Sequence, residues 1–208
     1  MKYIQKYFPD ISPEQFQQFS KLPALYADWN AKINVISRRD VPNIEVHHVL
    51  HSLAIARFVH FKKGTKIMDL GTGGGFPGIP LAIMFPDCRF HLVDSIGKKL
   101  KVVQAVADAI GIRNIFLFHS RAEELRYQYD FIVSRAVAPV KELMKWSTQK
   151  FLPKEINRIP NGLICLKGGH LAEELTGIKM VQKFPINQWF EEPYFQEKYL
   201  VYIPAKNW

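Results

Sequence analysis

The stretch Met68-Asp69-Leu70-Gly71-Thr72-Gly73-Gly74-Gly75-Phe76-Pro77-Gly78 holds the residue types with the most specific chemistry in the chain. It joins a short apolar run, Lys66–Leu70, to a helix-like run over 79–85. Glycines in such a turn let the backbone take positive φ and approach a ligand with no Cβ in the way. Positions 73–78 spell G-x-G-x-x-G, the form used for dinucleotides. Asp69 argues against that ligand, because it stands at the end of the strand where a pyrophosphate would lie. Two like unit charges about 4 Å apart cost roughly 1–4 kcal/mol. S-adenosylmethionine carries a sulfonium and an ammonium and no phosphate, so the same acid favours it. The spacing of Asp69, Gly71, Gly73 and Gly75 thus reads as a methyl-donor loop. The competing reading is a glycine turn that Asp69 merely caps.

Asp94, followed by Ser95, ends the next apolar run, 23 residues after Gly71. An acid near this offset reaches the ribose hydroxyls of a cofactor lying across the strand ends. It also suits the cap of a helix beginning near Ile96, and the two roles are compatible. Ser120-Arg121-Ala122-Glu123-Glu124 follows the third run, where an adenine would rest, although it also reads as a solvated helix start. Arg135 stands at the end of the fourth run, where open α/β sheets place ligand contacts; the alternative is an ion pair with a nearby acid. His47, His48 and His51 do not suggest a metal site. On an α-helix the first two face different ways, and two imidazoles without an acid or cysteine hold zinc poorly. Cys88, in a turn, and Cys165, in an apolar strand, read as packing or surface residues rather than nucleophiles.

These residues need a frame that brings strand ends together. Apolar runs at 66–70, 89–93, 114–118, 129–134 and 162–166 are separated by helix-like stretches, the clearest being Gly97–Ile110. Such alternation predicts a parallel sheet with helices on both faces. Two later runs, 179–184 and 198–203, are expected to pair as an antiparallel edge. The first 60 residues read as helical. Ser12-Pro13-Glu14 starts a helix that Pro23 is expected to kink or divide, and a second helix is expected from Pro42 to about Val59. The whole reads as one α/β unit, an N-terminal helical extension over 1–60 and a catalytic domain over 61–208.

The chain has 208 residues, 28 Lys and Arg against 19 Asp and Glu, and a formal net charge of +9. Two cysteines exclude a disulfide scaffold or a four-cysteine metal site. No apolar run approaches the roughly 20 residues of a membrane helix, and the N-terminus lacks a secretory pattern, so a cytoplasmic protein is expected. The basic balance suits an anionic partner. Candidate phosphate contacts are Arg38, Arg39, Lys98, Lys99, Lys101 and Lys167, with further lysines at 62, 63, 66, 141 and 145.

Taken together, Gly71-Thr72-Gly73-Gly74-Gly75-Phe76-Pro77-Gly78-Ile79-Pro80-Leu81, Asp94-Ser95 with Lys98-Lys99, Ser120-Arg121-Ala122-Glu123 and Ser134-Arg135-Ala136-Val137-Ala138 resemble the RsmG (GidB) family. So do Asn34 before Arg39-Asp40, and His48 before Leu50 and Ser52. The resemblance implies a Rossmann-like class I methyltransferase fold with a mostly parallel seven-stranded sheet. It implies methyl transfer from S-adenosylmethionine to N7 of a guanine in the central loop of bacterial 16S rRNA, by a monomer without a metal. Carried over, it puts Gly71 and Phe76 at the methionine end, Ala122 and Glu123 at the adenine, and Arg135 at the cofactor or substrate edge. His47, His51 and Val35-Ile36 depart from the family pattern. The other readings are a methyltransferase for another RNA, a protein or a small molecule, and a non-catalytic nucleotide-binding regulator.

Overall fold

The computed structural model describes residues 1–207. Its centre is a seven-stranded sheet made of β1 (Lys66–Leu70), β2 (Arg89–Asp94), β3 (Ile115–His119), β4 (Phe131–Arg135), β5 (Gly162–Gly168), β6 (Gln182–Pro185) and β7 (Lys198–Pro204). The order across the sheet is β3-β2-β1-β4-β5-β7-β6. β1 to β5 pair with one another in parallel, and β7 runs antiparallel to both β5 and β6. The last two strands therefore pair as expected, but β7 is inserted inside the sheet and β6 forms the edge. Burial explains the insertion: β7 is buried from Leu200 to Pro204, whereas β6 is mostly exposed.

Before the sheet come α1 (Lys2–Tyr7), α2 (Pro13–Lys32) and α3 (His51–Phe58). A reciprocal box starts α2: Ser12 Oγ accepts from Gln15 N at 3.2 Å, and Gln15 Oε1 accepts from Ser12 N at 2.9 Å. Pro23 does not divide this helix, which runs unbroken for 20 residues. Its buried face, Phe19, Leu22 and Tyr26, packs on both sides of the proline and holds it in line. The second expected helix is also different. It consists of a 3-10 turn at Val41–Asn43, a π-helical segment at Glu45–Leu50, and then α3.

The crossovers are α4 (Gly78–Met84), α5 (Gly97–Ile110) and α6 (Val140–Ser147), with a short α7 (Ala172–Leu175) before β6. Ile4, Phe19, Leu22 and Tyr26 join Ile67, Phe90 and Leu92 in one core, so the N-terminal layer shares the hydrophobic interior of the sheet. Met68, Leu70, Val93, Ile132 and Leu143 form a second core on the other face.

Candidate cofactor and substrate site

The loop after β1 is anchored from both sides. The amides of Gly71 and Thr72 both donate to Val93 O, at 3.0 and 2.9 Å. Tyr26 Oη, from α2, donates to Gly74 O at 2.5 Å. Gly71 has φ +71°, and a Cβ there would meet Val137 Cγ2 at 2.5 Å, so both conformation and space demand glycine.

Asp69 lies beneath this loop rather than in a cleft. It is fully buried, and its Oδ2 accepts from Thr72 Oγ1 at 2.6 Å and from Gly78 N at 2.8 Å. Burial pushes its pKa up to about 7, against the opposing pull of those two hydrogen bonds and of Arg135. The expectation that its charge faces the methyl donor is corrected accordingly: the carboxyl closes the loop on itself. Asp69→Ala should lower stability by about 2–4 kcal/mol, since buried donors left unpaired cost about 1–3 kcal/mol each. Thermal unfolding measures this. Asp69→Asn, which keeps an acceptor, should retain most cofactor affinity; an equal loss in both variants would restore the charge reading.

Above the loop, a cleft opens at the carboxyl ends of β1 and β2. Leu70, Gly71, Val93, Asp94 and Ser95 form one wall, and Ser120, Arg121, Ala122 and Glu123 the other. Val137 and Trp146 complete it. Asp94 Oδ2 accepts from Gly73 N and Oδ1 from Ile96 N, both at 2.8 Å. It therefore shapes the turn and also presents a carboxylate to the cleft, where each oxygen has further acceptor capacity. Ala122 and Glu123 occupy a 3-10 turn pinned by Ser120 Oγ donating to Glu124 Oε2 at 2.8 Å. Of the residues singled out from the sequence, Gly71, Asp94, Ser95, Ala122 and Glu123 converge here. Gly73 reaches the site through its amide. Gly75 has φ +95°, and a Cβ there would meet Ile79 Cδ1 at 2.7 Å. Trp146 was not singled out; a tryptophan in an amphipathic helix reads as core.

Phe76, which the resemblance puts at the methionine end, is not among the residues lining the cleft. It is buried, with its ring 4.8 Å from Tyr26 and 5.1 Å from His48. The Arg135 guanidinium lies over it at 5.2 Å. Arg135 Nη1 donates to His47 O at 3.2 Å, and Nη2 lies 2.9 Å from His48 Nδ1. Its hydrogen-bond partners are thus a carbonyl and an imidazole, not the acid the alternative required. Burial, reinforced by Arg135, lowers the His48 pKa to about 3, so that ring is neutral and Nδ1 can accept.

Arg135 and Ala136 open onto a second cavity of about 460 Å³, which His47, His48, His51, Asp40, Lys167, Glu174, Tyr194 and Lys198 also line. His47 and His48 on the π segment and His51 at the start of α3 all reach it, which α-helical pitch did not predict. His47 Nδ1 pairs with Asp40 Oδ1 at 2.8 Å, and its ring stacks on Tyr194 at 4.0 Å. Burial, then Arg135 and Lys198, hold His51 well below the ordinary histidine pKa. Tyr194 and Lys198 were missed because they arrive from a remote C-terminal segment with no local motif.

Among the basic residues, Arg38, Arg39, Lys98 and Lys101 are exposed and Lys99 is half-buried. Lys98, Lys99 and Lys101 lie at the start of α5, just past Ser95. Lys167 is not a free phosphate contact. Its Nζ pairs with Glu174 Oε1 at 2.7 Å and also donates to Ala138 O.

The family model described as GidB, rRNA small subunit methyltransferase G, matches residues 15–187. A Bacteroides fragilis protein named ribosomal RNA small subunit methyltransferase G is 55% identical over 98% of this chain and 99% of its own length. A protein of the same name from Cytophaga hutchinsonii is 50% identical over 99% of this chain and 100% of its own. Among solved structures, TrmN from Thermus thermophilus superposes with a TM-score of 0.56 at 17% identity, covering 79% of this chain and 52% of that one. A precorrin-6y C5,15-methyltransferase from Geobacter metallireducens gives 0.55 at 12% identity, covering 82% and 90%. These structural likenesses concern the fold.

Proposed function

Because the chain belongs to the rRNA small subunit methyltransferase G family, we propose that it transfers a methyl group from S-adenosylmethionine to N7 of a guanine in the central loop of 16S rRNA. It would do so in the cytoplasm, as a monomer and without a metal, on RNA presented by the small ribosomal subunit. No helix among the described residues is long and apolar enough to cross a membrane.

One observation carries the reading. Consecutive residues at the end of β4 face two different spaces: Arg135 and Ala136 line the cationic cavity, and Val137 lines the cleft. A donor and an acceptor bound in these spaces would meet there. The cleft suits a nucleoside with a diol and net positive charge, since Asp94 and Glu123 oppose the single cation Arg121. Asp94 would accept from the ribose hydroxyls, Ala122 and Trp146 would bracket the adenine, and Gly71 would let the methionine end pass. The bound cofactor supplies an electrophilic methyl group on sulfur.

Guanine N7 presents its lone pair at the base edge, so no proton has to be removed. The residues of the chain then need only align the base and exclude water, which is where positioning yields most of its rate. Arg135 and Lys198 supply positive charge to the incoming nucleotide. A second reading is favoured by the His47–Asp40 pair, which has the form of a general base and would suit an exocyclic amine. The test is transfer of labelled methyl to small subunits and to naked 16S rRNA, followed by borohydride and aniline treatment. Chain scission at one guanine of the central loop is expected. Label on an amine, which resists scission, or on protein would overturn the proposal.

A further inference from the structure

A groove distinct from the cleft lies at the amino ends of β1–β3. The link between β3 and β4 holds only a 3-10 turn and an extended segment, while α4 and α5 pack on the opposite face. Among the described residues, no α-helix lies between β3 and β4 to cover the face of β2 and β3 that looks away from α5. Phe116 and Tyr127 are 45% and 52% exposed there. His91 organises the aromatic floor, with ring centroids 4.8 Å from Phe118, 5.2 Å from Tyr127 and 5.5 Å from Phe116.

Lys66, Arg89 and Arg126 rim this groove, which has a volume of about 560 Å³, and no aspartate or glutamate is among its lining residues. The field there is positive: burial, then Lys66 and Arg89, lower the pKa of His91. Exposed large aromatics mark contact surfaces, and aromatics flanked by cations, with no carboxylate lining the groove, match the chemistry of unpaired nucleotides. Bases stack on the rings and phosphates meet the cations. A protein partner of acidic character would match the cations but gives no reason for the ring floor.

We propose that this groove holds a short single-stranded segment of RNA. The inference rests on the reading of the substrate as RNA, and it adds a docking site separate from the methyl-transfer centre. Lys66 and Leu70 share one face of β1, the first lining the groove and the second the cleft. Four residue steps of about 3.3 Å separate them, so the two sites lie roughly 13 Å apart along one sheet face. A strand seated on Phe116 and Tyr127 would be anchored beside the cofactor cleft.

The probe is a fluorescent twelve-nucleotide RNA of mixed A and U, which offers no guanine to methylate. Anisotropy is read with the full chain and with its Phe116→Ala/Tyr127→Ala variant, both rings being exposed. Loss of about tenfold or more in single-strand affinity is expected, with duplex RNA and S-adenosylmethionine binding unchanged. Arg126→Gln should flatten the logarithmic salt dependence by about 0.7. Ultraviolet crosslinking should place the adduct on the peptide containing Phe116 or Tyr127. Affinity within twofold of the parent, an adduct elsewhere, or a change of oligomeric state in the double variant would overturn the proposal, the last by marking the face as a contact between copies. A wild-type chain that ignores this RNA yet methylates small subunits would sink the groove and leave the proposed reaction standing.

Discussion

Asp94→Ala is expected to weaken S-adenosylmethionine binding about a hundredfold. A hydrogen bond to a charged group contributes about 1.5–3 kcal/mol, and two ribose hydroxyls meeting one carboxylate give about 3 kcal/mol at the lower bound. Every 1.4 kcal/mol is tenfold in affinity. The variant also frees the amides of Gly73 and Ile96, which Asp94 accepts at 2.8 Å. Gly73 is half-buried and Ile96 exposed, so water can replace much of that bonding, and the stability loss should stay near 1 kcal/mol. Calorimetric titration with the cofactor, alongside a thermal melt, separates the two effects. Affinity within threefold of the parent would remove Asp94 from the ribose and leave it as a turn residue.

Arg135→Ala should slow methyl transfer about a hundredfold or more while cofactor affinity moves less than threefold. The guanidinium opens to the cavity rather than to the cofactor cleft, and misplacing a reacting group by about 1 Å can alone cost about 10²-fold. Stability should fall as well, because the change strips His48 Nδ1 and His47 O of a donor and Phe76 of its cation. Arg135→Lys restores a charge but not the planar two-pronged contact, so it should fold better than the alanine variant and still be slow. Single-turnover transfer to small subunits, well below the melting transition, is the measurement. Normal turnover in a folded Arg135→Ala protein would place the substrate edge elsewhere in the cavity.

Much of the frame was legible because burial imposes local patterns. The run at 66–70 coincides with β1, and the expected helix over Gly97–Ile110 coincides with α5. Apolar periodicity marks the second, and Gly111, at φ +78°, ends it with a left-handed cap that glycine accepts readily. The turn at 71–75 and the carboxylate of Asp94 were legible for the same reason, since each meets a local steric or hydrogen-bonding demand. Pro23 misled because its local cost is outweighed by packing on either side. The π segment was invisible because α- and π-helical windings share the same residue preferences over six positions.

Sequence by itself determined the strand–helix alternation, the glycine turn and the acid at the end of β2, because these answer to neighbours in the chain. Only the tertiary structure decided which groups face which space. It turned Asp69 inward beneath the loop, tied Lys167 to Glu174, slotted β7 between β5 and β6, and brought Tyr194 and Lys198 beside Arg135. The physical reason is that burial and pairing depend on partners dozens of residues away. A side chain carries its chemistry in its own atoms, but its direction is set by what packs against it.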